Sequence, residues 1–230
     1  MTDQLPAAVL WDMDGTLVDT EPYWFTSQVE LVGSHGGTWT RADGDALVGT
    51  SLWHSAAVLR EHGVDLGLDE IIDHLTTDVL RRVADDVPWR PGAKELLAEL
   101  RAAGVPTALV TMSIRRMADY VVAAVDFPAF DAVVAGDEVE HHKPHPEPYL
   151  RGAAMLGVDA ADCVAIEDSP PGLASAVAAG TVALGVEHHA PLVDGAGYLR
   201  RDTLVGIGLD ELRAIHAAGR AARGTGGVDS

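Results

Sequence analysis

Four carboxylates, Asp12, Asp14, Asp19 and Glu21, fall within ten residues of VLWDMDGTLVDTEPYW (9–24), directly behind an apolar run. Three later segments place polar groups behind apolar runs in the same way. They are Thr111 and Ser113 in VTMS, Lys143 in HHKPHPEPY, and Glu167 and Asp168 in IEDSPPG. Two carboxylates about 4 Å apart repel by roughly 4 kcal/mol at an effective dielectric near 20. A site that gathers such acids therefore needs a cation or a held proton. An oxygen-rich ligand set with few protein donors suits Mg²⁺. Two hydroxyls, an ammonium and nearby helix N-termini suit a phosphate. The chain has only two lysines, Lys94 and Lys143, against fourteen arginines, so a lysine retained among these segments draws attention.

The elements that must hold these residues follow from the hydrophobic pattern. AAVLWDM (7–13), TALVT (107–111), AVVAG (132–136), CVAIED (163–168) and TVALGV (181–186) read as buried parallel strands. Between them, GAKELLAELRAAG (92–104), PEPYLRGAAMLG (146–157) and PPGLASAVAAG (170–180) read as helices, each stopping at a glycine. This alternation predicts an α/β fold, a doubly wound Rossmann-like parallel sheet with ligands at the carboxyl ends of its strands. The interval 20–86 differs: it holds only helical patterns and is too long for a loop, so it predicts an inserted α-helical cap. The expected core is then 1–19 and 87–230, with turn-rich links at both junctions and a flexible tail over 220–230.

Bulk composition narrows the partners. With 230 residues and 47% hydrophobic content, the chain can bury one core with a smaller unit beside it. A net charge of −19 argues against nucleic acid. No apolar stretch reaches membrane-spanning length, and MTDQLP carries no basic signal region. A single cysteine, Cys163, excludes an internal disulfide and fits a cytoplasmic location. Oligomeric state has no signature in the sequence; a monomer is compatible with it.

DMDGT, VTMS, HKPHPEPY and IEDSPPG resemble, in order, the four motifs of the haloacid dehalogenase superfamily. The helical insert resembles the branch that includes β-phosphoglucomutase and many sugar- and polyol-phosphate phosphatases. The resemblance implies Asp12 as the nucleophile forming an aspartyl-phosphate and Asp14 as general acid and base. It implies Mg²⁺ held by Asp12, the Asp14 backbone carbonyl and Asp168, with Glu167 acting through metal-bound water. Thr111, Ser113 and Lys143 would bind the phosphoryl group of a small phosphorylated metabolite.

Within that superfamily Asp14 argues against dehalogenation, and the absence of lysine before Lys94 argues against a phosphonatase. The rival is a hexose-phosphate mutase, which carries a histidine where this chain has Trp24 and an arginine where it has Leu52. Arg41 or Arg60 would then have to supply the missing cation. A Mg²⁺-dependent phosphatase is the expectation, with a non-catalytic phosphate-binding module on the same fold as the remote alternative. For Trp24, Trp39 and Trp53 core packing is the default, and Trp24 and Trp53 are the candidates for a substrate wall. His141, His142, His145, His188 and His189 read as surface or site-rim residues, because HHxxH does not gather three zinc ligands. Arg115 and Arg116 read as a solvated helix face.

Overall fold

The computed structural model describes residues 4–84, 86–194 and 197–225. Six parallel strands form one sheet in the order β3-β2-β1-β4-β5-β6: β1 (Ala8–Trp11), β2 (Thr107–Val110), β3 (Ala132–Val134), β4 (Cys163–Glu167), β5 (Val182–Val186) and β6 (Leu199–Arg201). The chain runs outward from β1 to β3 on one side, then returns to place β4, β5 and β6 on the other. The order reverses between β1 and β4, which are paired from Ala8↔Cys163 to Trp11↔Ile166. A crevice opens at such a switch point, outside the carboxyl ends of the two strands. Asp12 follows β1, and Glu167 closes β4, so the topology itself brings the first and last acidic motifs together.

Strand side chains alternate between two apolar layers. Val9, Trp11, Leu109, Val164, Ile166 and Leu184 face α5 (Ala93–Ala102), α6 (Arg115–Ala123) and α9 (Leu209–Thr225). Leu10, Ala108, Val110 and Ala165 face α7 (Glu147–Met155) and α8 (Pro170–Ala178). That second layer is rich in alanine, which lets α7 and α8 lie close to the sheet.

Between β1 and α5 lie α1 (Glu21–Ser34), α2 (Arg41–Asp45), α3 (Leu52–Glu61) and α4 (Leu68–Val83). Each begins where its sequence supplies a helix start. Pro22 stands in the first turn of α1, Thr40 and Asp43 cap α2 reciprocally, and Ser51 accepts a hydrogen bond from the His54 N–H at α3. α4 packs on α1 and α3 through Ile71, Leu75, Val79 and Val83, all fully buried. The two links are tied to each other. The Asp19 N–H donates to the Pro88 carbonyl at 2.8 Å, and the Arg90 N–H donates to the Leu17 carbonyl at 2.9 Å.

Two features depart from the pattern-based expectation. β6 was not anticipated, and α9 continues to Thr225 through the first half of the stretch expected to be a flexible tail. Residues 226–230 lie outside the described residues. No helix among the described residues is long and apolar enough to cross a membrane.

Candidate active site

The loop after β1 turns tightly. The Leu17 and Val18 N–H groups both donate to the Met13 carbonyl, and the Gly15 N–H donates to Val18 O at 2.8 Å. Gly15 sits at φ +89°, and a Cβ there would lie 2.1 Å from Asp168 Oδ2, so only glycine fits. Thr16 uses the same approach to donate to Asp168 Oδ1 at 3.1 Å. The first motif and the end of β4 are thus locked together by backbone geometry.

Lys143 crosses the site from the loop before α7 and is almost fully buried. Its Nζ donates to Asp12 Oδ1 at 2.7 Å, Glu167 Oε1 at 2.7 Å and the Val110 carbonyl at 2.9 Å. The ammonium also stands 5.0 Å above the Tyr149 ring, whose hydroxyl donates to Glu167 Oε1 at 3.0 Å. Glu167 Oε2 accepts from the Asp168 and Ser169 backbone N–H groups and from Ser169 Oγ. Five donors occupy the acceptor capacity of this carboxylate. Glu167 therefore aligns Lys143 and the loop beside it.

One lysine faces three buried acids, and the electrostatics record the imbalance. Burial, then Glu167, pushes Asp12 up to about 7 against the pull of Lys143. Burial and Asp12 push Asp168 well above the usual carboxylate range. Burial works against the Lys143 ammonium, but Asp12 and Glu167 outweigh it and raise its pKa. Oxygens of Asp12, Glu167 and Asp168 lie within 4.8 Å of one another. An excess of buried negative charge on an all-oxygen donor set fits a hard divalent cation such as Mg²⁺.

Asp14 is held differently. Its Oδ1 accepts from Thr20 Oγ1 at 2.5 Å and from the Trp24 indole N–H at 3.0 Å. Its Oδ2 accepts from Ser113 Oγ at 2.8 Å and Thr111 Oγ1 at 3.3 Å. The two expected phosphate-binding hydroxyls are therefore brought into the site, where both donate to Asp14. Trp24 and Thr20 arrive from the first turn of α1 and the residue before it, which couples the α1–α4 unit directly to this carboxylate.

A cavity, partly open to solvent, separates these residues from the helices above. Asp12, Asp14, Ser113 and Lys143 line its floor; Glu21, Trp24, Gln28, Leu47, Thr50 and Leu52 line the side facing them. Trp24 thus lines the cavity and also donates to Asp14. Trp53 does not line it. Adjacent helix positions face different ways, so Leu52 points into the cavity while Trp53 stacks on His142 of the loop below, centroids 5.3 Å apart. Arg41 pairs with Asp45 at 2.7 Å, Arg60 is exposed, and neither lines the cavity. Arg116, on an exposed face of α6, pairs with Asp73 of α4, also exposed, at 3.1 Å.

His141 and His145 are exposed, and His142, His188 and His189 are half-buried. His141 pairs with Glu147 at 2.9 Å and stacks on His145. His188 and His189 both place Nε2 against Asp19 Oδ1, at 3.0 and 2.9 Å. Arg90 approaches His188 Nδ1 at 2.7 Å. Arginine can only donate, so that nitrogen is an acceptor and Nε2 carries the proton. The arrangement clamps both links to the end of β5 and leaves His188 no free lone pair for a metal.

Sequence reasoning did not single out Thr16, Thr20, Gln28, Tyr149 or Ser169. Thr16 stands inside DGT and Tyr149 inside HKPHPEPY, so the motifs contained them. Thr20 and Gln28 carried no local signal.

The haloacid dehalogenase-like hydrolase family matches residues 6–180. Hexitol phosphatase B of Escherichia coli (strain K12) is 31% identical over 180 residues, covering 75% of this chain and 79% of that one. Fructose-1-phosphate phosphatase of the same strain is 33% identical over 184 residues, covering 78% and 96%. Among solved structures, CbbY from Rhodobacter sphaeroides in complex with xylulose-(1,5)-bisphosphate is similar at 27% identity and a TM-score of 0.83, covering 90% of this chain and 99% of that one.

Proposed function

The chain belongs to the haloacid dehalogenase-like hydrolases, and on that premise we propose that it is a Mg²⁺-dependent phosphatase of a small sugar or polyol phosphate, acting through an aspartyl-phosphate at Asp12. The observation that carries the reading is the buried Lys143 bridging Asp12 and Glu167 at 2.7 Å each, directly below a carboxylate, Asp14, that faces the cavity. A simple binding pocket gains nothing from three acids crowded around one ammonium.

Asp12 attacks phosphorus as the bond to the leaving alcohol breaks, and Asp14 gives its proton to the departing oxygen. Asp14 then takes a proton from water, which attacks the acyl phosphate and releases inorganic phosphate and free Asp12. Lys143 holds Asp12 in place and offsets charge on the transferring group. Thr111 and Ser113 turn from Asp14 to the phosphoryl oxygens. Asp12, the Asp14 carbonyl and Asp168 would hold Mg²⁺, which when bound supplies charge neutralisation at the phosphoryl group. The helices of 20–86 act as a cap that closes over the substrate on its two tied links and shuts out bulk water.

Hydrolysis is favoured over mutase chemistry because Leu52 lines the cavity and no arginine does. Lys143, the one basic residue among the lining residues, is engaged by Asp12 and Glu167. Nothing among those residues would grip the distal phosphate of a bisphosphate intermediate. The test is phosphate release from a panel of sugar, polyol, nucleotide and glycolate phosphates, with Mg²⁺ and after chelation. Mg²⁺-dependent release from a sugar or polyol phosphate is expected. Full activity after exhaustive chelation, or conversion of β-glucose 1-phosphate to glucose 6-phosphate without phosphate release, would overturn the reading.

A further inference from the structure

Three residues of α1, Glu21, Trp24 and Gln28, line the cavity opposite the acids of the floor. Their spacing of three and four puts them on one face of the helix. Glu21 is half-buried, and its carboxylate accepts no hydrogen bond from any described residue. Gln28 is buried, and its Oε1 accepts from the Trp39 indole N–H at 3.1 Å. That bond fixes the amide orientation and leaves the Gln28 –NH₂ as the polar group free for the cavity. Trp24 sits between them, its N–H committed to Asp14.

We propose that Glu21, Trp24 and Gln28 form a selectivity stripe that recognises a neutral, hydroxyl-bearing leaving group and turns away leaving groups carrying a second phosphate or a carboxylate. The inference rests on the phosphatase reading and deepens it.

A hydroxyl both donates and accepts. A carboxylate acceptor and an amide donor on one helix face therefore match vicinal hydroxyls, with the indole between them as an apolar spacer. An ammonium would use the carboxylate and leave the amide unmatched. A second anion would enter a space already holding Asp12, Asp14 and Glu21, whose one lining cation is spent on Asp12 and Glu167. Burial, then the neighbouring Asp14, pushes the Glu21 carboxyl up to about 7, against a partial pull from Arg41, which is itself paired with Asp45.

The experiment measures kcat and KM at pH 8.5, where a carboxyl raised to about 7 is ionised, for the wild type and Glu21→Gln on four substrates: a hexitol phosphate, phosphoglycolate, a hexose bisphosphate and ethanolamine phosphate. Folding of the variant is checked by thermal melting, and Glu21→Ala carries the same expectation if the glutamine variant does not fold. The wild type should favour the hexitol phosphate over both anionic substrates by about 100-fold or more in kcat/KM. Glu21→Gln should raise KM for the hexitol phosphate about tenfold, the loss of one charge-assisted hydrogen bond, with a much smaller change in kcat. It should also narrow the discrimination against the anionic substrates by about tenfold. An unchanged hexitol-to-anion ratio in a folded variant, or a wild type that prefers an anionic or the ammonium substrate, would overturn the stripe while leaving phosphatase activity standing. Inactivity of the wild type on all four and on an aryl phosphate would instead refute the phosphatase reading and the stripe with it.

Discussion

Replacing Lys143 by methionine keeps an unbranched apolar stem, one atom shorter, and removes the charge. Three hydrogen bonds disappear, to Asp12, Glu167 and the Val110 carbonyl, at 2.7 to 2.9 Å. Three buried carboxylates are left with no cation among them. Removing one partner of a buried ion pair costs about 3–5 kcal/mol, a large share of the roughly 5–15 kcal/mol that holds a domain folded. Protonation limits the loss: Asp12 already stands at about 7 in the presence of the lysine, so neutralising it near pH 7 costs little. The loss should therefore lie near 3 kcal/mol at pH 7. A raised carboxyl pKa stabilises the protonated form, so the deficit should shrink toward pH 5 and grow toward pH 8.5. Urea unfolding in chelated buffer at three pH values measures this, and adding Mg²⁺ should restore part of it. Asp12→Asn placed on the Lys143→Met background should also recover part of the loss, because it removes one unpaired charge. A Lys143→Met protein within about 1 kcal/mol of the parent at pH 8.5 without divalent cations would refute the claim that this ammonium balances the site.

Gly15→Ala should cost roughly 1–2 kcal/mol for its left-handed backbone, and its Cβ, 2.1 Å from Asp168, should also weaken Mg²⁺ affinity; thermal melts with and without Mg²⁺ read both effects, and a parent-like melt in each would contradict the tight loop. His188 should titrate below 6.5, because burial and then Arg90 disfavour its charged form while Asp19 supports it only in part. With its folded pKa depressed, its contribution to stability is present above 6.5 and is lost as pH falls toward the folded value; an imidazole NMR titration with a midpoint above 6.5 would undo the assignment of the clamp. Cys163 is buried, and burial pushes its thiol up to about 12, so alkylation at pH 8 should be slow in the native protein and fast in urea, and equal rates would place the thiol at the surface.

The parallel strands were legible because each is a short apolar run buried on both faces, and the observed β1 to β5 fall within one or two residues of the runs that announced them. β6 was not, for a physical reason: LRR carries no apolar run, and its three residues become a strand only by pairing with β5 at the sheet edge. The four motifs pointed to the acids and to Lys143, since strand ends on one edge of such a sheet must converge. Direction was harder to read. Trp53, for which core packing was the default and a substrate wall the alternative, stacks on His142, because whether a helix turns Leu52 or its neighbour inward depends on how the helix docks. The pairing of Asp19 with His188 and His189 spans most of the chain and leaves no local trace. Glu21 was legible as an acid, but its place across the cavity from Asp12 follows only from the turn at Thr20.

The central claim is a covalent phosphoryl group on Asp12. The most direct measurement is an acid quench of the enzyme during turnover with an isotopically labelled phosphomonoester, followed by peptide mapping, with Asp12→Asn in parallel. Label is expected on the peptide containing Asp12, lost at high pH as an acyl phosphate is, with an Asp12→Asn protein that folds, carries no label and turns over at least about 10³-fold more slowly. Label on another residue, or an Asp12→Asn protein that keeps more than a few per cent of the parent rate, would contradict it.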